Sequence, residues 1–453
     1  MKSSTEATNT GMIILLARFH VTIENQIYKH MKKLIILGAL AAFSLTPEIN
    51  AQSTTQLISV AGKQVNTKTS DLTKRKAHQP IVILEAGNSE SLAVWDNLFD
   101  QVAEFSPVLA YDRPGLGKSS ISEETPSLDI RVKELEALLN EMNIEPPYIL
   151  VGNNWGNLLI REFAAAHPNE VQGMVYVDPV MDTDNPDKLR DALNSQNLDG
   201  ELLASEYLAF QRLSMSRRST GAKPESDLFL KMLVENQLNW SSQDVPEVAS
   251  QVIIGRKNNI QTIFGQQTTH YKEIKGFLIS SKVDFFDQYS LENPEYSLLL
   301  SSGSMNFLPT QEPTQIAQSI RQVLYTDPMT KIIKATQTLS PEEFGRYVSD
   351  MQTYIPASLL NEYEINMQAY NLMRFDKFEH ALVLFKNNLE NHPNSANAND
   401  SMGDGLMALG RVEEAVPLYK KAVELGAQPQ HSDLELFKKN LTKGEEMLAE
   451  KGK

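Results

Sequence analysis

The sequence predicts an α/β fold with a mostly parallel sheet, followed by an all-α C-terminal region. Short apolar runs alternate with helical segments from Gln52 to about Tyr325. A tight turn, Gly152-Asn153-Asn154-Trp155-Gly156, joins one of these runs to a helical segment. Beyond about residue 331 the pattern is helical and repeats itself. Alternating strand and helix imply parallel pairing, because a parallel neighbour needs a connection long enough to return the chain to the same end of the sheet.

The first element is an export signal. Met31-Lys32-Lys33 leads into LIILGALAAFSL, ending at Leu45, and a polar TPEINA precedes a cleavage position after Ala51. A basic start, a short apolar run and a small residue at the cut form a bacterial secretory pattern. The run is too short to span a bilayer, which needs about 20 apolar residues. The other reading is a hydrophobic helix of the mature fold. Residues 1–30 lie upstream of a start at Met31, and residues 1–51 are set aside from the fold. Export places the protein in the periplasm or outside the cell.

Six apolar runs then read as strands: Ile81 to Gly87, Pro107 to Asp112, Tyr148 to Asn153, Met174 to Pro179, Val252 to Gly255 and Ser297 to Ser302. Runs this continuous belong to strands buried on both faces. Amphipathic segments such as LRDALNSQ and EYLAFQRL interrupt the rhythm from about 184 to 245. An insertion there sits as a helical cap over the C-terminal strand ends, where open α/β sheets keep their ligand crevice. The domain so read covers residues 52–325.

Composition limits the function classes. The chain has 453 residues, 41% hydrophobic and 22% charged, with a net charge of −15 and no cysteine. It is globular material sufficient for two or three cores. No basic cluster is dense enough to follow a phosphate backbone or an anionic membrane, so nucleic acid is excluded as a partner. The absence of cysteine excludes disulfides, thiolate nucleophiles, cysteine-type zinc sites and a lipid-anchored lipoprotein. The reading includes no metal, no cofactor and no transmembrane segment.

EAGNSESLAVWDNLFDQVAEFSPVLAYDRPGLGKSS, then PPYILVGNNWGNLLIREFAAAHP and VYVDPV, resemble the α/β-hydrolase superfamily, in particular its capped esterase- and peptidase-like members. The resemblance covers roughly residues 55–325 and implies a nucleophile elbow at G-x-N-x-G. The family nucleophile then falls on Asn154. Asparagine tolerates positive φ and can hold the turn, but its carboxamide offers no nucleophile that a base can activate. The family acid falls on Asn258 in Gly255-Arg256-Lys257-Asn258, and the family base on Ser304 in SSGSMNFLP. A Ser-His-Asp relay needs a nucleophile, a base titrating near neutrality and a group orienting it. Asn, Ser and Asn supply none of these, so hydrolysis by the family route is not expected.

The remaining candidates carry less. His167, at the end of the helix after the turn, reads as structural, and His78 as a solvated turn residue. His270, in QQTTHYKE, is the outside candidate for a displaced base, reaching the pocket from the loop between the last two strands. Asp178 reads as a turn former beside Pro179. The resemblance places an oxyanion loop at Glu85-Ala86-Gly87-Asn88, so that Gly87, Asn88, Asn153 and Trp155 line the pocket around position 154. Two readings stand open: a ligand pocket of neutral hydrogen-bonding groups, or a relic cleft whose polar groups satisfy one another.

The C-terminal part, residues 326–453, is of a different kind. Ala369 to Glu390 aligns with Gly403 to Glu424 at a period of 34 residues, with Leu372 over Leu406, Ala381 over Ala415, and Phe385 over Tyr419. Period and pattern resemble tetratricopeptide repeats, helical hairpins whose small residue permits close packing. Ser340-Pro341-Glu342-Glu343 opens another helix with a capping box, and Ser432 with Glu435 repeats the box before the last. The resemblance implies a short solenoid offering a groove to a protein partner; the alternative is a stabilising appendage. Taken together, the sequence reads as an exported hydrolase-like protein that binds a small ligand, peptide or partner. The competing reading is an active esterase or peptidase with a non-standard catalytic set.

Overall fold

Alternation along each strand decides which face of the sheet a side chain reaches. The computed structural model describes residues 53–122, 124–240, 245–257, 269–305, 307–428 and 430–451. The segment read as an export signal and Asn258 lie outside them. Eight strands form one sheet in the order β1-β2-β4-β3-β5-β6-β7-β8. These are β1 (Thr54–Val60), β2 (Lys63–Thr69), β3 (Ile81–Glu85), β4 (Val108–Tyr111), β5 (Tyr148–Asn153), β6 (Val171–Val177), β7 (Ala249–Lys257) and β8 (Tyr296–Ser304). All six predicted runs are strands. They pair in parallel, whereas the hairpin β1–β2 is antiparallel within itself and against β4.

Helices cover both faces. On one side Ile83, Leu150, Met174, Tyr176 and Val252 pack against α2 (Leu128–Glu141) and α3 (Gly156–Ala166). On the other side Val82, Leu84, Val151, Val177 and Ile253 pack against α1 (Asp96–Ala103) and α9 (Pro313–Tyr325). Neighbouring residues of one strand thus enter opposite cores, as a doubly covered parallel sheet requires. The cap is α4 (Pro186–Ser195), α5 (Gly200–Ser216) and α6 (Lys223–Val234), and α7 (Thr269–Glu292) joins β7 to β8. A short α8 (Leu308–Gln311) follows β8. Asp184, at the cap entrance, forms a buried ion pair with Lys282 of α7 at 3.1 Å.

The C-terminal region is all helical: α10 (Pro328–Ala335), α11 (Pro341–Met351), α12 (Glu362–Arg374), α13 (Phe378–Asn391), α14 (Ala396–Ala408), α15 (Val412–Ala427) and α16 (Leu434–Lys451). The Ser340 capping box closes at the start of α11. Small residues sit where helices approach most closely: a Cβ on Gly405 would lie 2.7 Å from the Phe385 ring. A separate core of Phe344, Val348, Ile365, Leu372 and Phe385 holds this region, and Tyr325 packs against both it and the sheet core. His78 is half exposed, in keeping with a solvated turn, and it also has distant partners. Its Nδ1 is 2.8 Å from Asp350 of α11, its ring meets Tyr347 edge-on, and its carbonyl accepts from Tyr354. A turn that reads locally as solvated is a docking point, because its partners are some 270 residues away.

Candidate functional site

The C-terminal ends of β5 to β8 meet where the sequence places the site. Asn154 follows β5 at φ +48°, the strained turn expected of an elbow. The glycines flanking it are required: a Cβ on Gly152 would lie 2.8 Å from the Asn157 nitrogen, and one on Gly156 would lie 2.5 Å from the Ala86 carbonyl. Helix α3 therefore presses its first turn against the end of β3, which only glycine permits. The Asn154 N–H donates to Val177 O at 2.8 Å and the carboxamide faces the Asp178 carbonyl at 3.5 Å. Asn157 clamps the same turn, donating to Asn154 O and Val177 O.

Asp178 follows β6, fully buried at φ +43°. Its Oδ1 accepts the Gly255 N–H of β7 at 2.7 Å, so this carboxylate ties two strand ends together. A Cβ on Gly255 would touch the backbone of Ser304 and Met305, which brings the end of β8 to the same point. Ser304 Oγ is buried and makes no hydrogen bond among the described residues. Lys275 of α7, which sequence reading passes over, lies 3.3 Å from Met305 Sδ. Burial lowers its pKa, opposed by the nearby Asp184 and Asp178.

The loop after β3 is the unexpected part. Its Gly87 N–H donates to Glu90 Oε2 at 2.9 Å, and Asn153 Nδ2 donates to the same oxygen at 2.8 Å. A resident carboxylate thus occupies one N–H of the loop that the family resemblance assigns to an oxyanion, together with one pocket side chain. Burial raises the Glu90 pKa, and the two hydrogen bonds act against that. The Asn88 carboxamide donates to Glu225 O of the cap at 3.1 Å. Trp155 is fully buried, and its ring packs under the Arg113 guanidinium.

Arg113 is the keystone beneath the loop. It forks onto Glu225 with two bonds of 2.8 and 2.7 Å, pairs with Glu85, and donates to Ala86 O and Gly87 O. Glu225 also accepts the N–H of Ser89, itself at φ +58°. Burial raises the pKa of Glu85. Burial acts the same way on Glu225, but Arg113 overcomes it and holds that carboxyl below its usual range. Buried Arg131 adds a second cation 3.3 Å from Glu225, so a buried ion cluster centred on Arg113 locks the cap to the loop.

His270 stands in the first turn of α7 rather than on a loop, and its Nδ1 pairs with Glu206 of α5 at 3.1 Å. The hydrogen bond to Glu206 raises its pKa, and the side chain is 42% exposed. Its recorded partner belongs to the cap, not to the strand ends. His167 caps α3 between Glu136 and Glu170, a structural position. Two cavities occur elsewhere: one of about 220 Å³ between the β1–β2 hairpin and α2, and one of about 340 Å³ on the cap helices. Among the described residues there is no cluster of metal-ligating side chains and no helix long and apolar enough to cross a membrane.

Residues 80–243 match the family model described as alpha/beta hydrolase fold. An uncharacterized protein of Bacillus subtilis, YqjL, is 33% identical over 100 residues, 22% of this chain and 40% of that protein. An AB hydrolase superfamily protein of Gibberella zeae is 29% identical over 168 residues, 36% of this chain and 48% of that protein. The matches thus span less than half the length of these relatives. Among solved structures, the haloalkane dehalogenase DatA from Agrobacterium tumefaciens aligns with 61% of this chain and 99% of its own, at 15% identity and a TM-score of 0.38. With the family match, the strand order and the elbow turn in agreement, residues 80–243 carry an alpha/beta hydrolase fold domain.

Proposed function

We propose that this protein is an exported, non-catalytic relative of the α/β hydrolases that binds a ligand or a protein partner instead of hydrolysing an ester or amide. The reading is supported by two changes at one place. A carboxamide, Asn154, stands on the elbow turn, and the Glu90 carboxylate already holds the Gly87 N–H and Asn153. The first removes the nucleophile. The second leaves one loop N–H already satisfied by a carboxylate, and loss of one such donor alone costs about 10²–10³ in turnover. In this reading the N-terminal pattern ending at Ala51 directs export, and the tetratricopeptide-like helices recruit the partner.

The test is hydrolysis of a panel of p-nitrophenyl esters and aminoacyl amides, with Asn154→Ala as control, beside labelling by a fluorophosphonate probe. Rates equal to buffer and an unlabelled protein are expected. Turnover that persists in the native chain and vanishes in His270→Ala would overturn the reading in favour of an active enzyme with a displaced base.

A further inference from the structure

Helix α14 packs against α12 and against α16, and its contacts with them gather an unusual polar set. Asp400 of α14 is 3% exposed, and its two oxygens accept only from Asn440 of α16, at 3.2 and 3.0 Å. One turn on, Asp404 accepts the hydroxyls of Tyr370 and Tyr419 at 2.8 and 2.7 Å. Every partner of both carboxylates is neutral; among the described residues neither makes an ion pair. Two carboxylates one helical turn apart repel each other, and a buried charge without a cation is costly. Burial, with Asp404 and Asp433 adding to it, pushes the Asp400 pKa up to about 7, while Asn440 opposes the rise.

An independent observation points the same way. Asn366 of α12 is 8% exposed, and its Oδ1 has no hydrogen-bond partner. It lies one turn before Tyr370, whose hydroxyl reaches both Ser401 and Asp404, so it faces the same side of α12. The Asn366 Oδ1 lacks a donor here, and the two carboxylates lack a cation. Beside them on α12, Tyr363 and Met367 are 68% and 37% exposed, an aromatic and a thioether left uncovered one turn apart.

We propose that this face of α12, α14 and α16 binds a basic segment of a partner protein, seating a lysine or arginine side chain against Asp400 and Asp404 with its apolar stem on Tyr363 and Met367. The proposal rests on the partner reading of the helical region given above and names the chemistry of that partner. An ammonium or guanidinium brings only donors, three or five of them, which suits two carboxylates that have no cation and the unpartnered Asn366 Oδ1. The exposed ring and thioether suit an aliphatic stem and a neighbouring apolar residue, which selects a peptide over a free amine. The net charge of −15 draws such a segment in and makes the encounter salt-dependent.

The experiment uses the full chain and an array of short peptides, each carrying one lysine or arginine among apolar residues, with norleucine replacing the basic residue as control. Spermidine is a separate arm. Binding by basic members is expected, lost with norleucine, at least tenfold weaker in Asp404→Asn and in Asp400→Asn, and unchanged in Glu342→Gln. Thermal melts establish that each variant is folded; Asp404→Asn keeps an acceptor for one tyrosine and offers its amide to the other hydroxyl, and it serves if Asp400→Asn does not fold. Peptide binding that ignores both aspartates but fails in Tyr363→Ser would overturn the cationic assignment and leave a partner site. Spermidine competing as well as the best peptide would overturn the peptide. No binding by any array member would overturn the proposal, while the ester and fluorophosphonate assays judge the hydrolase-like domain separately.

Discussion

At the scale of single residues, the site is governed by a few buried charges that sequence reading does not single out. Glu90, four residues past the end of an apolar run, has no local mark of function; only the fold turns it back onto Gly87 and Asn153. Asn154, by contrast, is legible at once, because the glycines around it encode the turn and the asparagine encodes the loss. Restoring Asn154→Ser, Asn258→Asp and Ser304→His should give a protein that fluorophosphonate labels, and adding Glu90→Ala should speed labelling about tenfold or more by freeing the Gly87 N–H. A folded triple variant that stays unlabelled would count against the assigned positions. Arg113→Ala should destabilise the domain by about 3–5 kcal/mol, since it strands buried Glu85 without a cation and leaves Glu225 with Arg131 alone. Urea midpoints of the two proteins measure this directly.

At the scale of elements, caps and spacing carry the information. The capping box at Ser340 is readable because both halves lie within four residues, and it forms as read. Ser340→Ala should cost about 1 kcal/mol, seen as faster amide exchange through α11. Helix α14 has a pH dependence of its own. The folded-state pKa of Asp400 stands above its ordinary value of 3.8, near 7. Its protonated form is therefore the one that folding favours: the contribution is complete below about pH 4 and is lost as pH rises through about 7. Asp404 on the same helix, Asp433, and Asn440 of α16 face it, together with the Tyr370 and Tyr419 hydroxyls that Asp404 holds. Wild type should thus lose stability relative to Asp400→Asn between pH 4 and pH 8, by at most about 4 kcal/mol. Parallel melting curves of the two proteins with no divergence over that range would rule it out.

At the scale of the whole molecule, the sheet and the helical region are joined by contacts that neither segment announces. His78, Tyr347, Asp350 and Tyr354 meet across the join, with Tyr325 packing into both cores. The His78–Asp350 pair is half exposed, so His78→Ala should cost less than about 1 kcal/mol globally. Its effect should appear instead as faster proteolytic cleavage between Tyr325 and Pro341, where the two cores separate. Equal cleavage rates would assign the docking to the apolar contacts alone.

Sequence by itself determined six of the eight strands, the turn at 152–156, the capped helix at 341–351, the helical periodicity of the C-terminal region and the carboxamide carried on the turn. All of these are written in neighbouring residues, through alternation, glycine spacing and caps. Only the tertiary structure decided that Glu90 fills the loop after β3, that Arg113 locks the cap to it, that His270 pairs with the cap, and that Asp400 and Asp404 share a face without a cation. Those facts depend on pairs brought together across tens to hundreds of residues. A buried charge takes its meaning from whatever the fold places beside it, and composition or periodicity carries no record of that neighbour.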